Sequence, residues 1–143
     1  PSHPMTSDAD SARSLAEHVR YCQAHGVRSP HPVGCMLPLE GARSWDLSAY
    51  THFYTQVSHR PGRDTALYVR QAGRYLTLFH TGGYGTVAEG YRRVLDHAAA
   101  RGLALRGPFF EYPLLDELSV RGYENYALLL SVGISGAERA SST

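Results

Sequence analysis

A change of hydrophobic period at Gly82 and Gly83 restricts the possible folds more than any other feature of this sequence. Before these glycines, residues 75–80 alternate with the two-residue period of a strand. After them, apolar residues recur every three or four positions over residues 87–100, and Gly102 stands where a helix C-terminal glycine belongs. The pattern predicts a strand that leads through a tight turn into an amphipathic helix.

The second half of the chain continues with a pair of strands. Thr86 followed by Glu89 matches a capping box and indicates where the helix starts. Beyond the helix, residues 109–118 and 126–134 are apolar runs separated by a polar turn at residues 119–122. The predicted order is therefore strand, helix, strand, strand.

The first half repeats that order without an opening strand. Residues 11–25 place apolar side chains at helical spacing and are followed by Gly26, while residues 33–39 and 51–57 have the pattern of strands. We therefore predict an α+β fold of duplicated β-α-β-β units, with two helices packed on the same side of one antiparallel sheet.

With 143 residues, the chain has the length of one globular domain. Residues 1–10 and 135–143 are small, polar and aperiodic, so we expect flexible termini there. The domain is expected to cover residues 11–134, with repeat one at about 11–58 and repeat two at about 64–134.

Charge and hydropathy argue against two classes of function. The formal net charge is +1, and the 14 basic residues, all arginine, form no cluster, which argues against DNA binding by this chain itself. No run approaches the roughly 18 apolar residues of a transmembrane helix, and residues 1–10 lack the order of a signal peptide. We expect a cytoplasmic protein with no membrane partner.

Several stretches of the second half resemble one known family. These are residues 73–84 (GRYLTLFHTGGY), the helix that ends in Arg101-Gly102-Leu103, residues 107–113 (GPFFEYP) and residues 123–132 (YENYALLLSV). Their order and spacing are similar to the GyrI-like effector-binding domain of MerR-type and AraC-type transcription regulators, which include multidrug sensors of the BmrR type. The resemblance is good over residues 67–134 and weaker over residues 15–57.

This resemblance implies two GyrI-like (SHS2) units around a ligand cleft, with aromatic rings stacked on the ligand and a buried glutamate facing it. Glu111 corresponds to the principal carboxylate of the multidrug sensors, Glu124 to a second acidic position and Tyr126 to an aromatic wall. The implied partner is a small molecule, a lipophilic aromatic or cationic drug. DNA would be contacted only through a separate N-terminal helix-turn-helix that is not in this chain, in a homodimeric full-length regulator.

The chemistry of Glu111 leads to a similar expectation. Its neighbours Phe109, Phe110 and Tyr112 are aromatic, and a carboxylate in such surroundings needs a counter-charge or hydrogen bonds. On a strand, Phe109 and Glu111 share one face. Either a cationic ligand or an arginine from elsewhere, such as Arg74, could partner the carboxylate.

Aromatic residues supply the other candidates for the site. Ten tyrosines exceed ordinary usage, and tyrosine offers a large face and a hydroxyl that suit an adaptable pocket. Besides Tyr126 and Phe109, we single out Tyr54, on a predicted strand, and Trp45, the lone tryptophan, in a loop. The alternative is that these tyrosines have only a structural role, because tyrosine is common in strands in any case.

Other functions compete with ligand sensing. Stand-alone members of the fold hydrolyse cyclopropane-containing natural products, and Glu111 could serve there as acid or base. The founding member inhibits DNA gyrase. His18, Cys22 and His25 share a helical spacing, but they complete no tetrahedral metal site, so neither a metal nor another cofactor is expected.

Overall fold

Strands from both halves of the chain join one antiparallel sheet, as the sequence predicts. The computed structural model describes residues 7–116 and 118–135, so most of the two predicted flexible termini lies outside the described residues. The strands are β1 (Val33–Leu37), β2 (His52–Thr55), β3 (Tyr75–Thr81), β4 (Leu105–Leu115) and β5 (Ala127–Ile134). The helices are α1 (Asp8–Ala24), α2 (Leu39–Ser44) and α3 (Val87–Ala100).

The strand order, β2-β1-β4-β5-β3, reflects the duplication. Hairpin β1–β2 of the first half corresponds to hairpin β4–β5 of the second, and the two meet where β1 pairs with β4, with Cys35 opposite Glu111. Strand β3 pairs with β5 at the far edge. Among the described residues, β2 has no corresponding strand on its outer side.

Helix α1 begins earlier than the sequence predicts. Its N-cap is Ser7, whose side chain accepts a hydrogen bond from the backbone N–H of Asp10, and Asp8 lies in the first turn, where a negative charge is favourable. The helix ends before Gly26, which has the positive φ of 62° that glycine tolerates best. Helix α1 therefore starts at Asp8 because Ser7 caps it.

Helix α3 has the predicted bounds, but the predicted capping box is wrong. The side chain of Thr86 makes no capping hydrogen bond to the helix. Its hydroxyl oxygen lies 3.0 Å from Nε2 of the buried His80 on β3 and also donates to the carbonyl of Gly83. A short 3-10 helix, Tyr84–Thr86, joins β3 to α3. The contact with His80 therefore occupies the hydroxyl oxygen of Thr86 that the capping box would need as an acceptor.

The core lies between the sheet and α3. Phe109 on β4, Leu37 on β1 and Leu130 on β5 are fully buried, and they pack with Tyr91 and Val94 of the helix. Burying a large apolar side chain contributes roughly 1.5–3 kcal/mol. Helix α3 therefore covers one face of the sheet, which we call the helix face.

Helix α2, which the sequence does not predict, also lies on the helix face. Its six residues follow β1 directly, and its inward residues are Gly41 and the fully buried Ala42. A Cβ atom at Gly41 would lie 3.0 Å from Cβ of Ala49, so the close packing favours a glycine. The helix ends at Trp45, which has a left-handed φ of 59°.

The opposite face of the sheet, which we call the open face, is crossed by part of the connection between β2 and β3. Residues 67–72 precede β3 and run across Phe110 and Ser131. Across the ranges 7–116 and 118–135, the helices are too short or too polar to span a bilayer.

Candidate functional site

Glu111 lies in the middle of β4, on the helix face, and only 2% of its surface is exposed. The alternation of the strand turns Phe109 and Glu111 toward α3 and turns Phe110 and Tyr112 toward the open face, as the sequence predicts. A carboxyl group is thus buried in the apolar core between the sheet and the helices.

Two tyrosine hydroxyls hold the carboxylate. Tyr50, which follows the 3-10 helix Leu47–Ala49, donates to Oε2 of Glu111 at 2.7 Å, and Tyr91 of α3 donates to the same oxygen at 2.8 Å. The two hydroxyl oxygens lie 3.2 Å from each other. In the described part of the chain, no hydrogen bond reaches Oε1.

Burial controls the ionisation of this group. Desolvation raises the pKa of Glu111, and the hydrogen bonds from Tyr50 and Tyr91 oppose that rise without cancelling it. The pKa values of both tyrosines are also raised, first by burial and then by the charge of Glu111, so both hydroxyls remain donors. The thiol of Cys35, opposite Glu111, has a raised pKa for the same two reasons.

Among the residues that the structure describes, no side-chain cation lies within ion-pair distance of this carboxylate. The ion pairs among the described residues join Arg13 with Asp10 and Arg43 with Glu40, and Glu111 takes part in neither. Arg74, the arginine considered from the sequence, precedes β3, and its carbonyl accepts the backbone N–H of Ile134. Such a group can hold a proton or bind a cation from outside the chain.

Two of the other predicted site residues lie close to Glu111. Phe109 is fully buried, and its ring meets Tyr91 edge to face with centroids 4.9 Å apart. The hydroxyl of Tyr54 donates to the main-chain carbonyl of Glu111 at 3.3 Å. The ring of Tyr54, however, packs against Phe110 on the open face, on the other side of the sheet from the carboxylate.

The remaining three predicted residues make their contacts elsewhere. Tyr126 is buried and packs edge to face with Tyr84 at the end of β3, four residues, or about 13 Å along the strand, from the residue opposite Glu111. Glu124 is exposed in the 3-10 helix Tyr123–Asn125. Trp45 is half exposed beside a cleft that Ala88, Glu89 and Arg92 of α3 also line.

The sequence pattern gives no direct indication that Tyr50 and Tyr91 hold the carboxylate. Tyr91 lies within the apolar helical pattern of residues 87–100, and Tyr50 is one of ten tyrosines. The available signal was that a tyrosine in a buried stripe needs a partner for its hydroxyl. A carboxylate in an aromatic segment likewise needs hydrogen-bond donors. Because each group supplies what the other lacks, the sequence already suggests a contact between Tyr91 and Glu111.

The His18 and Cys22 cluster on α1 is a separate feature. Nε2 of His18 lies 2.8 Å from the hydroxyl of Thr55 on β2, and the sulfur of Cys22 lies 3.6 Å from the same nitrogen. His25 instead contacts Tyr21 of its own helix. Among the described residues, no three histidine, cysteine or acidic side chains come together as metal ligands.

Comparison with known proteins finds a similar bacterial protein. No family model matches the chain. The chain is 29% identical over 119 residues to the multidrug-efflux transporter 2 regulator of Bacillus subtilis (strain 168). The aligned part covers 82% of this chain but only 42% of the relative, so the chain spans less than half the length of a protein that is named as a regulator of multidrug efflux.

Proposed function

We propose that this chain is a small-molecule effector-binding domain of a bacterial transcription regulator, and that Glu111 binds the positive charge of a lipophilic aromatic ligand. The observation that carries the proposal is the burial of this carboxylate without a cationic partner among the described residues. The similarity to a regulator of multidrug efflux supports a regulatory role. The DNA-binding domain would be a separate part of the full-length protein, which would act as a dimer.

A ligand cation would satisfy Glu111 better than the present contacts do. A buried charge without a counter-ion costs several kcal/mol, and a desolvated cation returns part of that cost. The rings of Tyr50, Tyr91 and Phe109 lie beside the carboxylate and could add cation–π attraction of about 0.5–2 kcal/mol each. Such a site recognises charge and a flat apolar shape.

The same burial means that the site must open before a ligand can bind. Tyr50 closes the carboxylate from the side of α2, a six-residue helix with two buried residues. A helix of six residues has little stability of its own and depends on the packing that a ligand would displace. We propose that ligand binding displaces Tyr50 together with α2, and that this movement alters the contacts of the domain with the rest of the regulator.

The test compares a cation with a neutral molecule of related shape, ethidium and phenanthridine, by calorimetry on the wild type and on Glu111→Gln. Gln keeps an oxygen acceptor for both tyrosines but removes the charge. Ethidium affinity should fall by about 1.5–3 kcal/mol, roughly 10-fold to 150-fold, whereas phenanthridine affinity should change little. Equal losses for both compounds would show that Glu111 only maintains the structure.

The pH dependence of binding gives a second readout. Ethidium keeps its charge at all relevant pH values, so its affinity should rise with pH as Glu111 loses its proton, through the raised pKa of that group. Glu111→Gln should show no such rise. Glu124→Gln, which alters the exposed second candidate, should cost less than about 0.5 kcal/mol of binding free energy, and a larger loss would show that Glu124 contributes to the site.

A hydrolase remains the second candidate function. A buried carboxyl group with a raised pKa, beside two tyrosine hydroxyls, also suits general acid catalysis. Incubation with a cyclopropane-containing alkylating natural product, followed by mass spectrometry for a product heavier by one water, tests this function. Turnover that is lost in Glu111→Gln would favour the enzyme over the sensor.

A further inference from the structure

The open face of the sheet carries a group of arginine and aromatic side chains that the proposed function does not use. The segment of residues 67–72 is held on this face at several points. The ring of Tyr68 meets Phe110 edge to face, Arg70 donates to the hydroxyl of Ser131, and Arg106 donates to the carbonyl of Ala72. These contacts fix a rim of side chains over the middle of the sheet.

Arg70 is stacked on two of the rings. Its guanidinium carbon lies 3.9 Å from the centroid of Tyr75 and 4.7 Å from that of Phe110, and one of its nitrogens donates to the buried Ser131 at 2.5 Å. Stacking of this kind holds the rings in place and adds a positive charge beside them.

A pocket of about 170 Å³ opens next to this stack. Its walls include the aromatic Tyr68, Tyr75 and Phe110, and the polar Gln71 and Arg106 also line it. None of the described residues that line it is acidic. The volume is below the roughly 300–1,000 Å³ of pockets for drug-sized ligands, so it suits a molecule of one or two rings.

Arg106 has hydrogen-bond donors left for such a ligand. Its Nε donates to the carbonyl of Ile134 and one Nη donates to the carbonyl of Ala72, both at 3.3 Å. Within the described residues, the other Nη makes no hydrogen bond, and neither Arg106 nor Arg70 has a carboxylate within 4.0 Å. A guanidinium presents donors in a fork that matches a carboxylate.

We propose that the open face holds a second small-molecule site, which binds a planar aromatic carboxylate between the rings of Tyr68, Tyr75 and Phe110 with its charge on Arg106. Arg70 is a positioning residue that orders two of these rings. The proposal is independent of the Glu111 site, which faces the other side of the sheet and selects the opposite charge. A domain with both sites would respond to anionic as well as cationic compounds.

The experiment titrates the full chain, labelled with ¹⁵N, with 1-naphthoate and with the neutral 1-naphthamide, and follows both by NMR. We expect 1-naphthoate to bind with a dissociation constant on the order of 0.1–1 mM, as for a ligand of this size, and at least about fivefold more tightly than the amide. The largest shifts should fall on Gly107, Gly133 and the side-chain amide of Gln71. Equal affinities, no binding of either compound, or shifts centred on Tyr91 would overturn the proposal.

Variants locate the charge that the ligand recognises. Arg106→Gln should abolish the preference for the carboxylate. Because Arg106 also donates hydrogen bonds to the carbonyls of Ala72 and Ile134, this variant also changes the local structure. Gln71→Glu is therefore the second variant. It changes an exposed residue of the pocket at nearly constant shape and places a negative charge beside the carboxylate of the ligand. It should weaken 1-naphthoate at least about fivefold and 1-naphthamide less than about twofold.

The matched control is Gln23→Glu, which makes the same change of charge on an exposed position of α1 that does not line the pocket. It should leave both affinities within about twofold of the wild type, because salt screens an exposed charge that does not contact the ligand. If Gln23→Glu weakens 1-naphthoate as much as Gln71→Glu does, the anion responds to net charge and the proposed site is wrong.

Discussion

The two faces of the sheet differ in how they accommodate charge, although adjacent residues of the same strand, β4, lie on both faces. On the helix face, Glu111 is buried and held by tyrosine hydroxyls that carry no charge. On the open face, Phe110 lies beneath the exposed Arg70. Water can solvate the arginine but not the carboxylate, so the helix face carries an electrostatic cost that the open face avoids. Buried charge of that kind is common at functional sites.

The largest expected effect comes from Gly34 on β1, where Tyr54 packs directly on the open face of the sheet. A Cβ atom here would lie 2.5 Å from both the main-chain oxygen of Glu111 and the ring of Tyr54. Because the oxygen belongs to the backbone, Gly34→Ala should destabilise the protein by about 3 kcal/mol, measured by urea unfolding.

The control for this change is Gly85→Ala, at a position where an added Cβ has no heavy atom within 4 Å. It should alter the free energy of unfolding by less than about 0.5 kcal/mol. A small effect of Gly34→Ala would mean that the contact of Tyr54 with the sheet is loose, and the open face would then be less ordered than the helix face.

A smaller effect, of opposite sign, is expected at Glu111. Glu111→Gln should stabilise the protein at neutral pH by about 1 kcal/mol, because it removes a buried charge and keeps an acceptor for Tyr50 and Tyr91. Unfolding followed by circular dichroism between pH 4 and about pH 9 measures the change. Loss of stability in the variant would show that the negative charge holds the tyrosines in place.

The pH dependence of this difference has a definite sign. Burial raises the folded-state pKa of Glu111 above the ordinary value of 4.5. Between those two values the folded protein keeps a proton that the unfolded chain has released, so wild-type stability falls as pH rises. The advantage of Glu111→Gln should therefore be small at low pH, grow above pH 4.5 and become constant above the raised pKa.

The smallest effect is expected at Arg70 on the open face. Arg70→Lys keeps a donor for the buried Ser131 but removes the planar stacking on Tyr75 and Phe110, and at an exposed side chain such a contact contributes about 0.5 kcal/mol. Urea unfolding should detect a loss of that size. A loss above about 2 kcal/mol would show that Arg70 is as important to the fold as the buried residues of the helix face.

Much of the fold could be predicted from local pattern. The spacing of apolar residues defined α3, and the alternation along β4 correctly assigned Phe109 and Glu111 to one face and Phe110 to the other. The order of elements also predicted the duplicated α+β architecture. These features follow from the periods of helix and strand, which depend only on neighbouring residues.

The partners of those residues were decided by tertiary structure. Tyr50 and Tyr91 lie 61 and 20 positions from Glu111 in the chain, and only the pairing of β1 with β4 and the packing of α3 bring them together. The open-face position of Tyr54 likewise depends on strand register. Long-range contacts have no local period, so the sequence determined which face Glu111 occupies, whereas the tertiary structure decided that tyrosine hydroxyls, not an arginine, meet it there.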